Sequence, residues 1–396
     1  MSSYLIEPKA PLLFRDGRPF GASELAETLP FPLPSTVAGA LRAAYGERCS
    51  LNFADVKDEL LKLEAHGPLL AGLGIVGGEP SLYFPKPADA IYYKEGEGLI
   101  AAHLVPGAVL PNEKEGTDLP EGLHPLFLNY ESNEKPAKGA AFWTLANTAA
   151  WLANASDAPI PADTIGVDAL PTEIRTHVGI DGNRLTNRDG AVFQTAGLDF
   201  GPRQNPKEER GWESQSFGLL ARFRQPGSEE TLLADGCFRT VGGEGRLASI
   251  KPCAAWPEIP DTLDKALANT RWLKLLFVTP ALFDGGWRPA WLDGKPPIDS
   301  PPGLAGLKLR LCAAALERWQ PFSGWELRTP DGRRGGEARA VRRLVPAGSV
   351  YWFEVLEGDA ETLRKLWLAP LSDRPQDRLD GFGLAIPGIW SGELPN

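Results

Sequence analysis

The sequence has few of the residues that build metal and disulfide sites. Its 396 residues include four cysteines and four histidines, the cysteines lie far apart, and no CxxC pair occurs. A structural zinc site needs ligands paired at short spacing, so this pattern argues against one, and we expect neither a metal nor another cofactor. Scattered free thiols are compatible with a reducing compartment, which favours the cytoplasm.

Long apolar runs are also missing. The longest, residues 273–278, has the length of a strand, whereas a membrane-spanning helix needs about 20 mainly apolar residues. The N-terminal segment has no basic start followed by a long apolar stretch, so no signal peptide is expected. With 43% hydrophobic and 23% charged residues, the composition is typical of a soluble globular protein, and no membrane partner is expected.

Positive charge is in deficit, since the formal net charge is −10. A protein that coats nucleic acid non-specifically works by neutralising phosphates, so the acidic balance counts against that class of protein. A local RNA site remains open, because binding depends on how charge is distributed over the surface.

Glycine (43 residues) and proline (37 residues) are abundant and divide the apolar segments into short runs. This favours many turns and short strands. Helices are predicted at 35–45, 54–64, 146–153, 262–268, 309–318 and 360–367. Strands are predicted at 4–7, 69–76, 173–179, 191–194, 217–224, 272–279, 339–344 and 350–356. The elements are mixed without a regular βαβ alternation, which indicates the α+β class.

The length of the chain favours two domains. A polar, turn-rich stretch at 256–264 precedes a new apolar strand, so we expect domains at 1–260 and 261–396. Each half begins with an apolar strand and ends near a glycine-rich segment, which suggests an internal duplication.

The first candidate binding segment covers residues 12–41 and is followed by Arg42. Arg15 and Arg18 flank a predicted turn and can reach one anion, and the helix after this turn begins near Ser35. Free N–H groups at a helix N-terminus favour phosphate, and Arg42 lies two turns further on. The alternative is that Ser35 or Thr36 simply caps the helix and that the arginines are solvated.

The second segment, 173–200, is typical of a β-hairpin. It contains His177, and its tip carries Arg184 and Arg188. A histidine can act as a general base in RNA cleavage, but one titratable residue makes no catalytic site. A structural or RNA-contacting histidine is therefore the favoured interpretation.

Two glycine-rich segments form the third candidate. Gly242, Gly243 and Arg246 lie in VGGEGR, and Gly381 and Gly383 lie in GFGLAIPG. Glycine permits positive φ and a close approach of the backbone to phosphate. Neither segment has the spacing of a nucleotide-binding motif, and tight turns are the alternative.

The fourth segment, 328–343, has six arginines among sixteen residues and includes Arg333 and Arg334. Two glycine-containing turns separate strand-like arms, which predicts a basic hairpin. Such a hairpin suits an RNA backbone or an acidic protein surface, because arginine binds phosphate and carboxylate bidentately. The alternative is a solvated loop.

Taken in order, the motifs of the chain resemble one family. They lie within residues 4–388 and read LIEP, FRDGRPFG, LPFPLPSTVAGALR, HVGID, FQTAGLDF, GGEGR, VPAGSVYWFE and GFGLAIPG. This series resembles the third-subunit family of the Cmr (type III-B CRISPR–Cas) effector complex, in the Cas5-like group of the RAMP (repeat-associated mysterious protein) superfamily.

The resemblance implies a fold and a role. The fold is two ferredoxin-like (RRM-like) domains with antiparallel sheets and long insertions. The role is a non-catalytic subunit that holds the repeat-derived 5′ tag of the crRNA. Its implied protein partners are the large polymerase-like palm-domain subunit and the adjacent backbone RAMP subunit. The RNA contacts expected from the motifs together with the resemblance are Arg15, Arg18, Ser35, Thr36, Arg42, His177, Arg184, Gly242, Gly243, Arg246, Arg333, Arg334, Gly381 and Gly383.

Two other functions remain open at this point. A metal-independent crRNA-processing endoribonuclease of the RAMP type would use His177 as its base, although the sequence shows no acid partner beside it. A pure protein scaffold would use the same arginines and tryptophans at subunit interfaces.

Overall fold

A computed structural model of the chain describes residues 2–15, 25–26, 28–51, 53–74, 78–108, 118–202, 215–228, 230–294, 299–328 and 334–394. None of the helices formed by these residues is long and apolar enough to cross a membrane.

Short strands dominate the secondary structure. The strands are β1 (Ser3–Pro8), β2 (Leu25–Ala26), β3 (Glu64–Leu73), β4 (Ser81–Pro85), β5 (Ala90–Glu95), β6 (Gly98–Pro106), β7 (Leu126–Leu128), β8 (Phe142–Thr144), β9 (Ile160–Pro161), β10 (Gly166–Val167), β11 (Thr172–Ile180), β12 (Asn187–Leu198), β13 (Ser216–Arg224), β14 (Cys237–Thr240), β15 (Leu247–Cys253), β16 (Trp272–Phe277), β17 (Lys308–Ala315), β18 (Gln320–Phe322), β19 (Trp325–Arg328), β20 (Arg334–Ala338), β21 (Arg342–Leu344), β22 (Val350–Glu357), β23 (Ala369–Pro370) and β24 (Leu384–Ile389). The helices are α1 (Pro34–Arg48), α2 (Phe53–Leu61), α3 (Leu145–Ala153), α4 (Asp261–Leu267), α5 (Ala360–Arg364) and α6 (Pro375–Leu379), with a 3-10 turn at Ala290–Asp293.

The chain divides into two compact units that are not contiguous in sequence. The first unit comprises Met1–Pro80, Leu170–Ala255 and Pro321–Arg343, and the second comprises Ser81–Ala169, Trp256–Gln320 and Leu344–Asn396. We expected one domain boundary, near residue 260. The chain instead passes from one unit to the other several times, because residues 81–169 belong to the second unit and residues 321–343 to the first.

The main sheet of the first unit has the strand order β3-β13-β1-β15-β14, and every pairing is antiparallel. Helix α1 packs on one face of it. Tyr4 and Phe223 lie on that face with ring centroids 6.4 Å apart, and Tyr45 of α1 contacts the same phenylalanine edge to face. Tyr4 and Phe223 are completely buried, so the helix and the sheet share one apolar core.

Helix α1 confirms the helix predicted at 35–45 and extends it to Arg48. Its start differs from the expectation, because Leu33 is the N-cap and no side chain caps the helix. Pro34 occupies the first turn, where its fixed φ suits a helix and its missing N–H costs nothing. The predicted capping role of Ser35 or Thr36 is therefore wrong.

The main sheet of the second unit has the order β17-β22-β16-β24-β23 and is also antiparallel. Its strand β17 replaces the helix predicted at 309–318, and that prediction is wrong. The segment contains three alanines and three leucines that favour a helix, but pairing with β22 outweighs this weak local preference.

The two main sheets share a strand order. When their four principal strands are numbered along the chain, both sheets read 2-3-1-4 (β3-β13-β1-β15 and β17-β22-β16-β24). The strands of the first sheet end at Cys253, and those of the second begin at Trp272. The common order is what an internal duplication would produce. The antiparallel pairing in both sheets, together with the helices, agrees with the expected α+β class.

Smaller elements surround these sheets. The first unit carries the ribbon β11-β12, with β2 added in parallel to β12, and the pair β19-β20. The second unit carries the sheet β5-β6-β7, with β9 also paired to β6, and the short strands β10, β8 and β4. Several of these strands were not predicted, because they are short and contain glycine, proline or alanine.

The other predicted helices are mostly confirmed. Helices α3 and α4 match the predictions at 146–153 and 262–268, and α5 covers the first part of the predicted 360–367. Helix α2 ends at Leu61, before the predicted 64, because Glu64 already pairs with Arg224 as the first residue of β3. The predicted strands are found with shifted ends. The largest shift is at 69–76, where the strand already begins at Glu64, and at 339–344 the strand begins only at Arg342.

A buried polar cluster lies in the core of the second unit. Lys274 Nζ lies 3.4 Å from Asp89 Oδ2, and both side chains are at most 1% exposed. Trp151 Nε1 donates to Asp89 Oδ1 at 3.0 Å, and the His103 ring stacks on Trp151 at 3.3 Å. Burial, helped by the nearby Lys274 charge, lowers the pKa of His103 to about 2. The imidazole is therefore neutral, although Asp157 lies 3.6 Å away.

Candidate nucleic-acid interface

An open groove of about 550 Å³ lies in the first unit. It is bounded by the segment after β1, the first turns of α1 and the loop after β14. The residues that line it are Leu13, Phe14, Arg15, Thr36, Gly39, Ala40, Ala43, Arg239, Thr240, Gly242 and Gly243. Four of the expected contacts, Arg15, Thr36, Gly242 and Gly243, therefore meet in one place, although the first two are more than 200 residues from the two glycines in sequence.

The backbone of residues 12–15 holds the groove together. Leu12 exchanges hydrogen bonds with Leu198 of the ribbon, at 2.9 and 2.8 Å, and the Leu13 carbonyl accepts from Gly243 N–H at 2.8 Å. The Phe14 carbonyl accepts from Leu29 N–H at 2.7 Å. One short segment thus joins the ribbon, the glycine-rich loop and the chain that leads into α1.

Helix α1 supplies a floor of small residues. Gly39, Ala40 and Ala43 face the groove, and a Cβ built on Gly39 would meet nothing within 4 Å. The first turn of the helix has no side-chain cap, and its positive end lies beside Thr36, which lines the groove. Ser35 is half-buried next to it. The floor is therefore open, and its nearby helix end favours an anion.

Arg42 takes a different place from the one expected. Its side chain is buried, and its Nε and Nη2 atoms donate to the Leu63 carbonyl at 3.2 and 2.7 Å. The residue lies on the face of α1 that packs against the sheet, and it provides hydrogen bonds for the backbone carbonyl that immediately precedes β3. The structure gives Arg42 a role in folding, so we leave it out of the proposed RNA contacts.

The loop between β14 and β15 requires glycine. Gly242 has a φ of +73°, and a Cβ there would lie 2.4 Å from the Leu13 carbonyl oxygen. Glu244 and Gly245 also have positive φ, and Val241 N–H closes the turn on the Arg246 carbonyl at 2.9 Å. At Gly242 the backbone therefore approaches the Leu13 segment, which borders the groove, more closely than a residue with a Cβ would allow.

The sequence analysis missed Arg239, which lines the groove. It lies on β14 and forms an ion pair with Glu47 of α1, and its side chain is 22% exposed. Strand β14 was not predicted, although Arg239 stands only three residues before Gly242 of the predicted glycine-rich loop. Its closeness in sequence to the predicted glycine-rich loop was the signal that could have identified it.

The ribbon β11-β12 has two different faces. On one face Arg175 pairs with Glu173, and the His177 and Phe193 rings stack with centroids 5.1 Å apart. His177 Nε2 lies 2.8 Å from Thr195 Oγ1. The opposite face carries exposed aliphatic side chains, which are Ile174, Val178, Ile180 and Val192.

The polar face of the ribbon continues into the groove. Beside the glycine-rich loop is a small pocket lined by Pro11, Leu13, Glu173, Arg175, Thr195, Gly197, Glu244 and Arg246. Leu13 borders both this pocket and the groove. The hydrogen bond from Arg175, and to a lesser degree the Arg246 charge, lower the pKa of Glu173. Arg184 is exposed in the turn at the far end of the ribbon, where its N–H donates to Asp181.

The other glycine-rich segment does not line this groove. Gly381 and Gly383 are buried in the second unit, where the Gly381 carbonyl accepts from the Thr279 hydroxyl at 2.8 Å. A Cβ on Gly383 would lie 2.7 Å from Ser372 Oγ. These glycines serve packing, and the RNA contact expected of them has no accessible surface in this chain.

Three expected contacts are arginines in or beside segments that the structure does not describe. Arg18 and Arg333 lie outside the described residues. Arg334 begins β20, which pairs with β19 as the arms of the predicted basic hairpin. In the described part of the chain no group of three His, Cys, Asp or Glu residues is placed to hold a metal ion, and the four cysteines are free thiols.

The chain is similar to several solved structures. It matches a chain of a cryo-EM structure of the type III-B Cmr-beta bound to cognate target RNA, with 14% identity and a TM-score of 0.44, covering 88% of this chain and 86% of that one. A second Cmr-beta structure, with cognate target RNA and AMPPnP, gives 13% identity and a TM-score of 0.45, with coverages of 92% and 88%. A chain of a Csm3-Csm4 subcomplex of the type III-A CRISPR-Cas interference complex gives 9% identity and a TM-score of 0.30, with coverages of 91% and 94%.

No curated protein matches the chain. A family does match, over residues 4–390, and it is described as CRISPR-associated protein (Cas_Cmr3). The match covers nearly all of the 396 residues and includes both main sheets and the groove. It confirms the resemblance inferred from the motifs, and the chain therefore belongs to the CRISPR-associated Cas_Cmr3 family.

Proposed function

We propose that this chain is a non-catalytic RNA-binding subunit of a type III-B CRISPR effector complex. In this role it holds the repeat-derived 5′ tag of the crRNA and docks the large palm-domain subunit and the adjacent backbone RAMP subunit. The observation that carries the proposal is the groove of the first unit, where Arg15, Thr36, Arg239 and the Gly242–Gly243 backbone converge. The cytoplasm is the proposed compartment, and no cofactor is required.

The groove has the chemistry that a short single strand needs. Arginine binds phosphate through planar, charge-assisted hydrogen bonds, and glycine lets a phosphate or a 2′-hydroxyl come close to the backbone. The groove is one local feature on a chain with a net charge of −10. This arrangement suits a few defined contacts with a fixed tag, because such contacts need no broad basic surface.

Two ferredoxin-like domains are part of the proposal. The common 2-3-1-4 strand order with antiparallel pairing supports them, since a ferredoxin-like sheet has that order. Each domain departs from a complete ferredoxin-like unit. The first has a long helix between strands 1 and 2, and the second has the short helices α5 and α6 between strands 3 and 4.

Binding of the tag is tested with guide RNA. The full chain, alone and together with its large-subunit partner, is titrated with a guide that carries the tag and with one whose tag is scrambled. We expect the tagged guide to bind more tightly, and Arg15→Ala and Arg239→Ala to weaken that preference. Arg48→Ala is the matched control. Arg48 is an exposed arginine at the end of α1, in the same unit, and it does not line the groove.

Equal binding of the two guides in the presence of the partner would contradict the proposal and favour a protein scaffold. The endoribonuclease alternative predicts cleavage of repeat RNA without metal and loss of cleavage in His177→Ala. We expect intact RNA with both proteins, because the hydrogen bond of His177 Nε2 goes to a neutral threonine hydroxyl and brings no charged acid partner.

A further inference from the structure

The two faces of the ribbon β11-β12 differ in chemistry, although they share one backbone. His177 and Phe193 are paired across the strands, and their rings are stacked at an interplanar angle of 16°. Phe193 keeps 39% of its surface exposed. Val192, its neighbour on β12, points to the opposite face and is 58% exposed. An aromatic surface is therefore available on one face of the ribbon only.

The aromatic face is continuous with the groove. Thr195, which is hydrogen-bonded to His177, lines the small pocket together with Arg175 and Arg246. Leu13 joins that pocket to the groove, and the Gly243 N–H is bonded to the Leu13 carbonyl. The order along this surface is groove, basic pocket and aromatic pair. A basic pocket next to an aromatic pair suits a nucleotide, in which a phosphate lies next to a base.

An exposed flat ring next to arginines is a site for a nucleobase. Unpaired bases are held on proteins by stacking on aromatic side chains, while neighbouring phosphates bind to basic groups. Arg175 is shared with Glu173, and Arg246 lies close to the same carboxylate, which holds both guanidinium groups beside the strand. The ribbon thus offers both parts of a single-nucleotide site.

We propose that the Phe193–His177 pair is a stacking subsite for one unpaired base of the RNA that occupies the groove. This inference rests on the proposed function and assigns a specific contact to it. Phe193 provides the stacking surface. His177, positioned by Thr195, supports the ring from the ribbon side, and Arg175 and Arg246 bind the adjoining phosphate.

A purely structural role for the pair is the competing explanation. A two-stranded ribbon has little core of its own, and cross-strand aromatic pairs stabilise such ribbons. Conservative variants separate the two roles. Phe193→Leu keeps apolar area against His177 but removes the π surface, whereas Phe193→Trp keeps and enlarges it. Val192→Leu is the matched control on the opposite face of the same strand.

The test uses the full chain with its large-subunit partner and a guide RNA that carries 2-aminopurine at one tag position at a time. Stacking on an aromatic ring quenches the fluorescence of this base. We expect strong quenching at one position, its loss in Phe193→Leu, its recovery in Phe193→Trp and no change in Val192→Leu. The loss of one stacked base should weaken guide binding by about fivefold to 150-fold.

The outcomes distinguish the two proposals. If Arg15→Ala weakens guide binding but Phe193→Leu leaves both quenching and affinity unchanged, the stacking subsite is wrong and the groove proposal stands. If neither variant changes binding of the tagged guide, the proposed function fails as well. If Phe193→Leu and Phe193→Trp lose quenching equally while circular dichroism shows a folded protein, the pair acts only through the shape of the ribbon.

Discussion

The glycine-rich loops of the two units occupy the same place in the same topology, yet they do different things. Each loop precedes the fourth strand of its sheet, β15 in one unit and β24 in the other. Each is also bonded to the segment that comes after the first strand. Gly243 N–H donates to the Leu13 carbonyl at 2.8 Å, and Gly383 N–H donates to the Pro280 carbonyl at 2.7 Å.

The difference lies in the segment after the first strand. In the first unit that segment leads to α1, whose small residues leave the groove open beside Gly242. In the second unit Ala281, Leu282 and Phe283 are buried, and Leu282 N–H is bonded to Ser372 Oγ. The same hydrogen bond therefore supports an open surface in one unit and a closed core in the other. A duplicated fold keeps its backbone contacts, while its side chains decide whether a site remains.

The largest expected effect is the loss of a buried charge in the core of the second unit. Lys274→Met leaves Asp89 as a buried carboxylate that, among the described residues, keeps its hydrogen bond from Trp151 but loses its cation. We expect a loss of about 3–5 kcal/mol in the free energy of unfolding, measured by urea titration. Adding Asp89→Asn removes the charge and should recover most of that loss. Equal stability of Lys274→Met and the parent would show that the pair is not buried as described.

The loop comparison is sharpened by two alanine substitutions. Gly383→Ala combines a positive φ with a contact of 2.7 Å to Ser372 Oγ in a closed core, so we expect a loss of about 2–4 kcal/mol in unfolding free energy. Gly242→Ala faces the Leu13 carbonyl at 2.4 Å, but Gly242 is exposed, so displacing it opens no buried core. There we expect a smaller loss of stability and a clear loss of guide binding.

Thermal unfolding and guide titration of both variants check this contrast. The comparison breaks if Gly383→Ala impairs RNA binding at temperatures where the protein remains folded, since a closed loop should affect binding only through stability. It also breaks if Gly242→Ala binds guide as tightly as the parent.

A smaller effect concerns acid. Both units contain a buried neutral histidine, and burial lowers the pKa of His103 to about 2 and that of His66 to about 4. An unfolded histidine binds a proton below about pH 6.5, so stability falls as the pH drops below that value. The loss continues to about pH 4 for His66 and further for His103. Each full pH unit within a window costs up to about 1.4 kcal/mol.

Urea unfolding at about pH 7.5 and about pH 5.5, on either side of the ordinary histidine pKa, measures this dependence. We expect His103→Phe, which keeps a ring against Trp151, to flatten the decrease relative to the parent. An unchanged decrease in that variant would mean that His103 is already protonated in the folded state. His66→Phe serves as the matched variant in the other unit, because its histidine is also buried and neutral.

Several residues that the sequence singled out line the candidate groove, because their signals are local. The arginine before the turn at 15, the proline at the start of α1 and the glycines at 242 and 243 each have a short-range physical reason. Arg239 was missed because its place in the groove depends on β14, an edge strand whose four residues carry no clear pattern. The burial of Arg42 could not be read from the sequence, because it depends on which face of α1 packs on the sheet.

Long-range pairing explains the errors in the fold. The helix predicted at 309–318 became β17, since strand pairing with β22 outweighs the propensity of three alanines. The two interleaved units also required contacts between segments that are far apart in sequence. Because the main sheets of the two units have the same strand order, no local sequence pattern shows to which unit an inserted segment belongs.

By itself, the amino-acid sequence determined the class of the fold, most of its helices, and the family, because periodicity, turn residues and motif order are properties of neighbouring residues. Only the tertiary structure decided that the glycines at 242 and 243 border a groove while those at 381 and 383 are buried. Gly242, Gly381 and Gly383 all have the positive φ that glycine permits. Whether that freedom is used at a surface or in a core depends on side chains brought in from elsewhere in the chain.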